Sequence, residues 1–308
     1  MIYFNSEEQT KDGFVSRPIE MEANREIVII RSATELVQWR ANLVSETEKP
    51  LLGFVPTMGY LHEGHLALIH EAKRHAQYVI VSIFVNPTQF NSSDDFEHYP
   101  RDEEGDIKAA HLAGADAVFM PTKEVIYPQG AQTWVNVGSL GSALCGATRP
   151  GHFQGVCTVV TALFNLVQCQ IAVFGEKDYQ QVTIIRQIAR DLHLPVQIIS
   201  LPTVREADGL AMSSRNARLS FQGRQQAAGI YQGLLKAKES WNNEIKDIKT
   251  LTENILSTLP PMTRIDYLTF CDPSTLVPLE SLERQSKVLL AIACFIEDVR
   301  LIDNIVLS

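Results

Sequence analysis

The stretch PTMGYLHEGH at residues 56–65 holds the first pattern able to do chemistry. His62 and His65 stand three residues apart at the expected start of a helix, a spacing that puts both imidazoles on one face. Gly64 lets a ligand approach the backbone closely, and a helix N-terminus favours an anion. Imidazole donors converging there suit charge that develops on a phosphate during displacement. Taken alone, two histidines at a helix start are more often an ordinary surface feature. Zinc is a weaker reading, because H-x-x-H lacks the spacing of H-E-x-x-H and no third ligand is evident.

Two later stretches have related chemistry. GEKDYQQ at 175–181 directly follows the apolar run IAVF, so it falls at the carboxyl end of an expected strand. Lys177 can meet phosphate as a point charge, and amides can hold hydroxyls or a carboxylate. The same stretch also reads as a capped helix start, with Asp178 as N-cap. DGLAMSSRN at 208–216 is small, polar and cationic. It fits a mobile loop carrying hydroxyls and a guanidinium to phosphates, or a plain surface linker. No G-x-G-x-x-G and no G-x-x-x-x-G-K-[ST] occurs, which disfavours a dinucleotide dehydrogenase and a P-loop ATPase.

These stretches need a scaffold, and the hydrophobic pattern supplies one. Strand-like runs at 27–30, 51–55, 78–85, 117–120, 171–174 and 196–201 alternate with helical segments at 64–76, 102–113, 153–168 and 179–191. Ser32 and Glu35 have the spacing of a capping box. Strands separated by helix-length crossovers predict an α/β fold with a doubly wound, Rossmann-like parallel sheet. Ligands of such sheets bind at the carboxyl ends of the strands. Beyond residue 205 two amphipathic helices (221–240 and 246–258) precede strands at 265–271, 288–295 and 299–307, the pattern of a smaller α+β domain. The expected division is therefore an extension at 1–25, a Rossmann-like domain at 26–204 and a smaller domain at 205–308. Val156 to Val167 repeats its apolar residues at helical spacing and reads as core, with Cys157 and Cys169 as buried hydrophobes.

Composition narrows the partners. The chain has 308 residues and a formal net charge of −9, so a nucleic-acid partner, which needs a basic footprint, is not expected. Five dispersed cysteines without a C-x-x-C pair fit reduced thiols in the cytoplasm. No apolar run approaches the ~20 residues of a membrane helix. A small-molecule ligand is the expectation.

HEGH followed distantly by MSSRN resembles the HIGH and KMSKS pair of the nucleotidyltransferases, which act at the α-phosphate of ATP. In addition PTMGYLHEGH, VNPTQF, YPRD, GHFQGVCTVV, FGEKDYQQ and DGLAMSSRN occur in the order typical of pantothenate synthetases. The similarity runs from about residue 27 to the C-terminus. Two departures stand out: residues 1–25 are unusual for the family, and Ala211 stands where the superfamily has a lysine, which is normal for this family. The resemblance implies an ATP-dependent ligase that converts pantoate to pantoyl adenylate and then lets β-alanine displace AMP. A related nucleotidyltransferase, or a nucleotide sensor without catalysis, are the rival readings.

The resemblance also implies roles. Met58, Gly59, Tyr60, Leu61, His62, Glu63, Gly64 and His65 would line the ATP site, with His65 as proton donor and His62 on the same phosphate region. Gly175, Glu176, Lys177 and Asp178 would hold nucleotide, Lys177 on phosphate. Val204 would touch adenine, and Met212, Ser213, Ser214 and Arg215 would close over the triphosphate. Gln89 and Gln181 would bind pantoate, with Gln89 also near β-alanine. Mg²⁺ is expected with ATP, held mainly by phosphate oxygens. Asp106 is the matching acidic position for it and Asp102 the alternative. The family implies a homodimer.

Overall fold

The computed structural model describes residues 26–43 and 50–308; the extension expected at 1–25 lies outside them. Six strands form one parallel sheet: β1 (Val28–Ile30), β2 (Leu52–Thr57), β3 (Tyr78–Ile83), β4 (Ala117–Phe119), β5 (Ile171–Gly175) and β6 (Gln197–Leu201). Their spatial order is β1-β4-β3-β2-β5-β6. From β2 the chain winds through β3 to β4 on one side, and β5 and β6 extend the other. The winding therefore changes direction between β2 and β5, where an open α/β sheet has its ligand crevice.

The local sequence makes that crevice. β2 pairs with β5 only through Gly53 and Phe54, although both strands continue. Pro56 near the end of β2 has no N–H with which to extend a ladder. PTMGYLHEGH leaves β2 and GEKD leaves β5, so both motifs rise from the two strands that part. β3 is buried along most of its length, as a central strand covered on both faces must be. The capping box at Ser32 and Glu35 is formed, and its helix spans Ala33–Asn42.

A second, three-stranded antiparallel sheet contains β7 (Arg264–Cys271), β8 (Val288–Ile296) and β9 (Val299–Leu307), in that spatial order. Helices Phe221–Asn242 and Ile248–Leu256 bury Ile230, Leu234, Leu251 and Ile255 in a core shared with Leu290 and Ile292 of β8. The Rossmann-like sheet with a smaller α+β unit is thus the observed architecture.

One local expectation differs from the structure. Asp178 sits at the N-cap of the helix Tyr179–Asp191 but makes no side-chain capping bond, because a 3₁₀ turn, Glu176–Asp178, intervenes after β5. The stretch 208–216, which reads as a mobile loop or a linker, and its flanks carry several ion pairs beside the buried Leu210 and Ala211. Arg205 forms a two-pronged ion pair with Asp303, and both Arg215 and Arg218 pair with Asp95.

Candidate active site

The turn after β2 is held in an unusual backbone conformation. Gly59 has φ +83° and Tyr60 has φ +51°, and a Cβ on residue 59 would stand 2.8 Å from Asp106 Oδ2. Asp106, only 3% exposed on the helix Glu103–Leu112, accepts the Tyr60 N–H at 2.8 Å and the Leu61 N–H at 2.6 Å. Burial pushes its carboxyl above the usual carboxylate range, and the two amide donors oppose that shift. Both oxygens are committed to the loop backbone. Among the described residues no group of three His, Cys, Asp or Glu could hold a metal ion. Asp106 thus supports the turn that carries His62.

Beyond that turn, His62 caps the helix Glu63–His75. Its Nδ1 accepts the Gly64 N–H at 3.1 Å, while His65 Nδ1 accepts the His62 N–H at 3.3 Å. Each ring thus keeps its hydrogen on Nε2, as a donor. Burial, with Lys177 beside it, pushes His62 down to about 4. Burial, His62 and Lys177 push His65 down to about 3. Both are therefore neutral imidazoles near neutral pH, each with an Nε2–H to donate.

One cleft above β2 and β5 gathers most of the predicted residues. Met58, His62, Gly64, His65, Gly175, Lys177 and Asp178 line it, as do Val204, Met212, Ser213, Ser214, Arg215, Gln89 and Gln181. Gly59, Tyr60, Leu61, Glu63 and Glu176 are not in its wall; Glu176 instead accepts a hydrogen bond from Ser200 at 2.6 Å. Gln89 belongs to a built corner. Its Nε2 lies 2.9 Å from Met58 Sδ, and its Oε1 accepts from Asn86 Nδ2 at 3.1 Å. Gly155 permits this corner, since a Cβ there would come within 2.4 Å of the Thr88 carbonyl oxygen.

Sequence reasoning missed several wall residues. Asn86, Tyr99, Arg149 and His152 all face the cleft. His152 Nδ1 donates to the Gln89 carbonyl at 2.7 Å, and Arg149 Nη2 donates to the same oxygen at 3.1 Å. Arg149 Nη1 approaches His152 Nε2 at 3.1 Å, so the ring accepts there. The signal was the R-x-x-H spacing just before the helix His152–Val167, which carries two polar groups into an otherwise apolar segment. Val156, Val159, Val160 and Leu163 of that helix also correct the assignment to core alone. They belong to the core cluster and form the apolar wall of the cleft. Cys157 and Cys169 are buried as expected, and burial pushes both thiols up to about 12.

One cavity thus joins neutral and cationic donors, amides and apolar side chains. The family described as pantoate-beta-alanine ligase matches residues 28–306. A pantothenate synthetase of Moorella thermoacetica is 50% identical over 263 residues, covering 83% of this chain and 91% of that protein. That of Fervidobacterium nodosum is 47% identical over 258 residues, with the same coverages. The crystal structure of pantothenate synthetase from Thermus thermophilus superposes with a TM-score of 0.84 at 44% identity, covering 91% of this chain and 99% of that one. The Francisella tularensis pantoate-beta-alanine ligase, solved with beta-gamma ATP and beta-alanine, gives 0.76 at 35% identity, covering 91% and 97%. By sequence, fold and the contents of its cleft, the chain belongs to the pantoate–β-alanine ligase family.

Proposed function

We propose the following division of labour for this ATP-dependent pantoate–β-alanine ligase. In the first step a pantoate carboxylate oxygen attacks the α-phosphorus of ATP, and pyrophosphate leaves. The nucleophile is already ionised at neutral pH, so no side chain has to generate it. The chain's contribution is positioning and stabilisation of charge around phosphorus. His65 and His62 donate Nε2–H hydrogen bonds to the reacting phosphate region. Lys177, Ser213, Ser214 and Arg215 neutralise and hold the phosphates, while Met58, Gly64, Gly175, Asp178, Val204 and Met212 shape the nucleotide's seat. In the second step the β-alanine amine attacks the acyl carbon of pantoyl adenylate, AMP leaves, and the amine loses a proton.

The observation that carries this reading is the set of side chains that share one cleft. Phosphate-type donors, the amides Gln89 and Gln181, and the apolar side chains of Val156, Val160 and Leu163 line the same cavity. Pantoate needs that combination, because it pairs hydroxyls and a carboxylate with two methyl groups on one carbon. The test is exchange of labelled pyrophosphate into ATP with pantoate and Mg²⁺ present and β-alanine absent. Exchange that requires β-alanine would exclude the two-step scheme. We further propose that residues 26–204 and 205–308 act as two domains, and that the enzyme is a cytoplasmic homodimer; light scattering and cell fractionation test the last two points. Among the described residues no helix is long and apolar enough to cross a membrane.

A further inference from the structure

Two adjacent residues near the end of the chain touch both phosphate-binding segments without lying against each other's target. Asp303, only 3% exposed on β9, takes Arg205 Nη1 at 2.6 Å and Nη2 at 2.9 Å. Arg205 stands at the base of the loop that presents Ser213 to Arg215. It bridges to Ala211, donates to the Gly209 carbonyl at 3.1 Å, and stacks on the Tyr231 ring at 3.6 Å. Next along the strand, Asn304 Nδ2 donates to the carbonyls of Glu176 and Lys177 at 2.9 and 3.0 Å. Successive strand residues leave opposite faces of a sheet, so one strand can serve two loops. The Asn304 N–H also donates to Asp303 Oδ1 at 2.8 Å, which locks the pair together.

The consequence concerns distance. Lys177 rises from the large sheet, and Ser213 to Arg215 come from the stretch that links it to the small one. Pairing of β5 with β6 as far as Gly175 and Leu201 starts the two segments side by side, and Asp95 and Tyr99 hold Arg215 and Ser214 at the far end. Asp303 and Asn304 add a tie that reaches both segments from a single strand. A triphosphate has a fixed span, and donors that are misplaced by about 1 Å can cost two orders of magnitude in rate. We propose that Asp303 and Asn304 are positioning residues, and that β9 of the small sheet helps set the spacing between Lys177 and the Ser213–Arg215 loop for a nucleoside triphosphate. This rests on the ligase reading above. It gives the small sheet a part in nucleotide binding that involves no contact with the nucleotide.

Steady-state kinetics of the full chain with Asn304→Ser and Asp303→Asn tests it, with melting temperature and active-site titration alongside. Each variant should raise the KM for ATP by about tenfold, the scale of losing a net hydrogen bond or two of support. The KM for pantoate should stay within about twofold, because Gln89 is held by Asn86, Arg149 and His152 rather than by β9. Unchanged ATP KM in folded variants would overturn the proposal. So would an equal rise for both substrates, or a loss that active-site titration accounts for entirely. Failure of both variants to fold would overturn it too, by showing that the pair serves stability alone. Absence of pantoate-dependent pyrophosphate exchange in the unaltered enzyme would instead sink the ligase reading, and is seen before any variant is made.

Discussion

The ring centroids of His62 and His65 lie 4.1 Å apart, and each ring gives its Nδ1 to a backbone N–H of the same helical turn. The backbone thereby selects one tautomer for both and leaves two Nε2–H donors side by side. Cations so close together would repel, which agrees with both rings being held neutral by burial and by Lys177. Two neutral donors can serve an anion without the cost of holding two charges in apposition.

His65→Ala should therefore lower kcat by roughly 10²–10³, the usual loss for one transition-state donor, and leave the melting temperature nearly unchanged. Near-normal turnover with a large drop in melting temperature would make His65 a structural residue.

Asp106→Asn keeps the shape but turns an NH₂ toward an amide that needs an acceptor. Destabilisation by about 1–3 kcal/mol in chemical denaturation is expected, together with lower kcat, since the His62 turn loses its support. The Mg²⁺ concentration for half-maximal activity should not move. A shifted Mg²⁺ requirement with unaltered stability would make Asp106 a metal ligand instead.

Removal of Gln181, by Gln181→Ala, should leave a pantoate polar group unpaired and cost about 1–3 kcal/mol in kcat/KM for pantoate. Gln89→Ala should do the same and also damage the β-alanine half-reaction. Equal loss of ATP affinity in both variants would count against the assignment.

Acid should destabilise the ligand-free enzyme through its histidines. Burial, with Arg149 alongside, pushes His152 down to about 3. The unfolded chain then binds more protons than the folded one between pH ~6.5 and the depressed value, so stability falls as pH drops through that window. A melting series from pH 7 to 4.5 should show this slope, and His152→Gln should flatten it. An identical slope in the variant would assign acid sensitivity elsewhere.

Charges join the buried Leu210 and Ala211 in anchoring the loop at 205–218. Asp95 takes Arg215 at 3.1 Å and Arg218 at 2.8 Å. Burial raises the Asp95 carboxyl, and the two guanidiniums outweigh that to hold it below its ordinary value. Trypsin should therefore cut near Arg215 or Arg218 faster in Asp95→Asn, and faster in high salt, which screens partly exposed pairs. ATP with pantoate should protect, and pantoate alone should protect less. Cleavage indifferent to both salt and the substitution would show that other contacts hold the loop.

The order of strands and helices was legible in the sequence because it depends on local periodicity. The continuous apolar run of β3, the helical spacing of the segment after Gly151 and the capping box at Ser32 are each written within a few residues. The motifs were legible for a related reason: HEGH, GEKD and MSSRN each occupy a single turn. What joins them is not local. Asp106 reaches back 45 and 46 residues to the Leu61 and Tyr60 amides, His152 reaches 63 to Gln89, and Asp95 reaches 120 to Arg215. A sequence window sees an acidic residue or a histidine but cannot see which donor it will meet. Only packing decides whether a buried carboxylate faces a backbone amide or a metal, and whether a valine of a core helix also faces a ligand. The tautomers of His62 and His65 belong to the same class, since they follow from which nitrogen the folded backbone reaches.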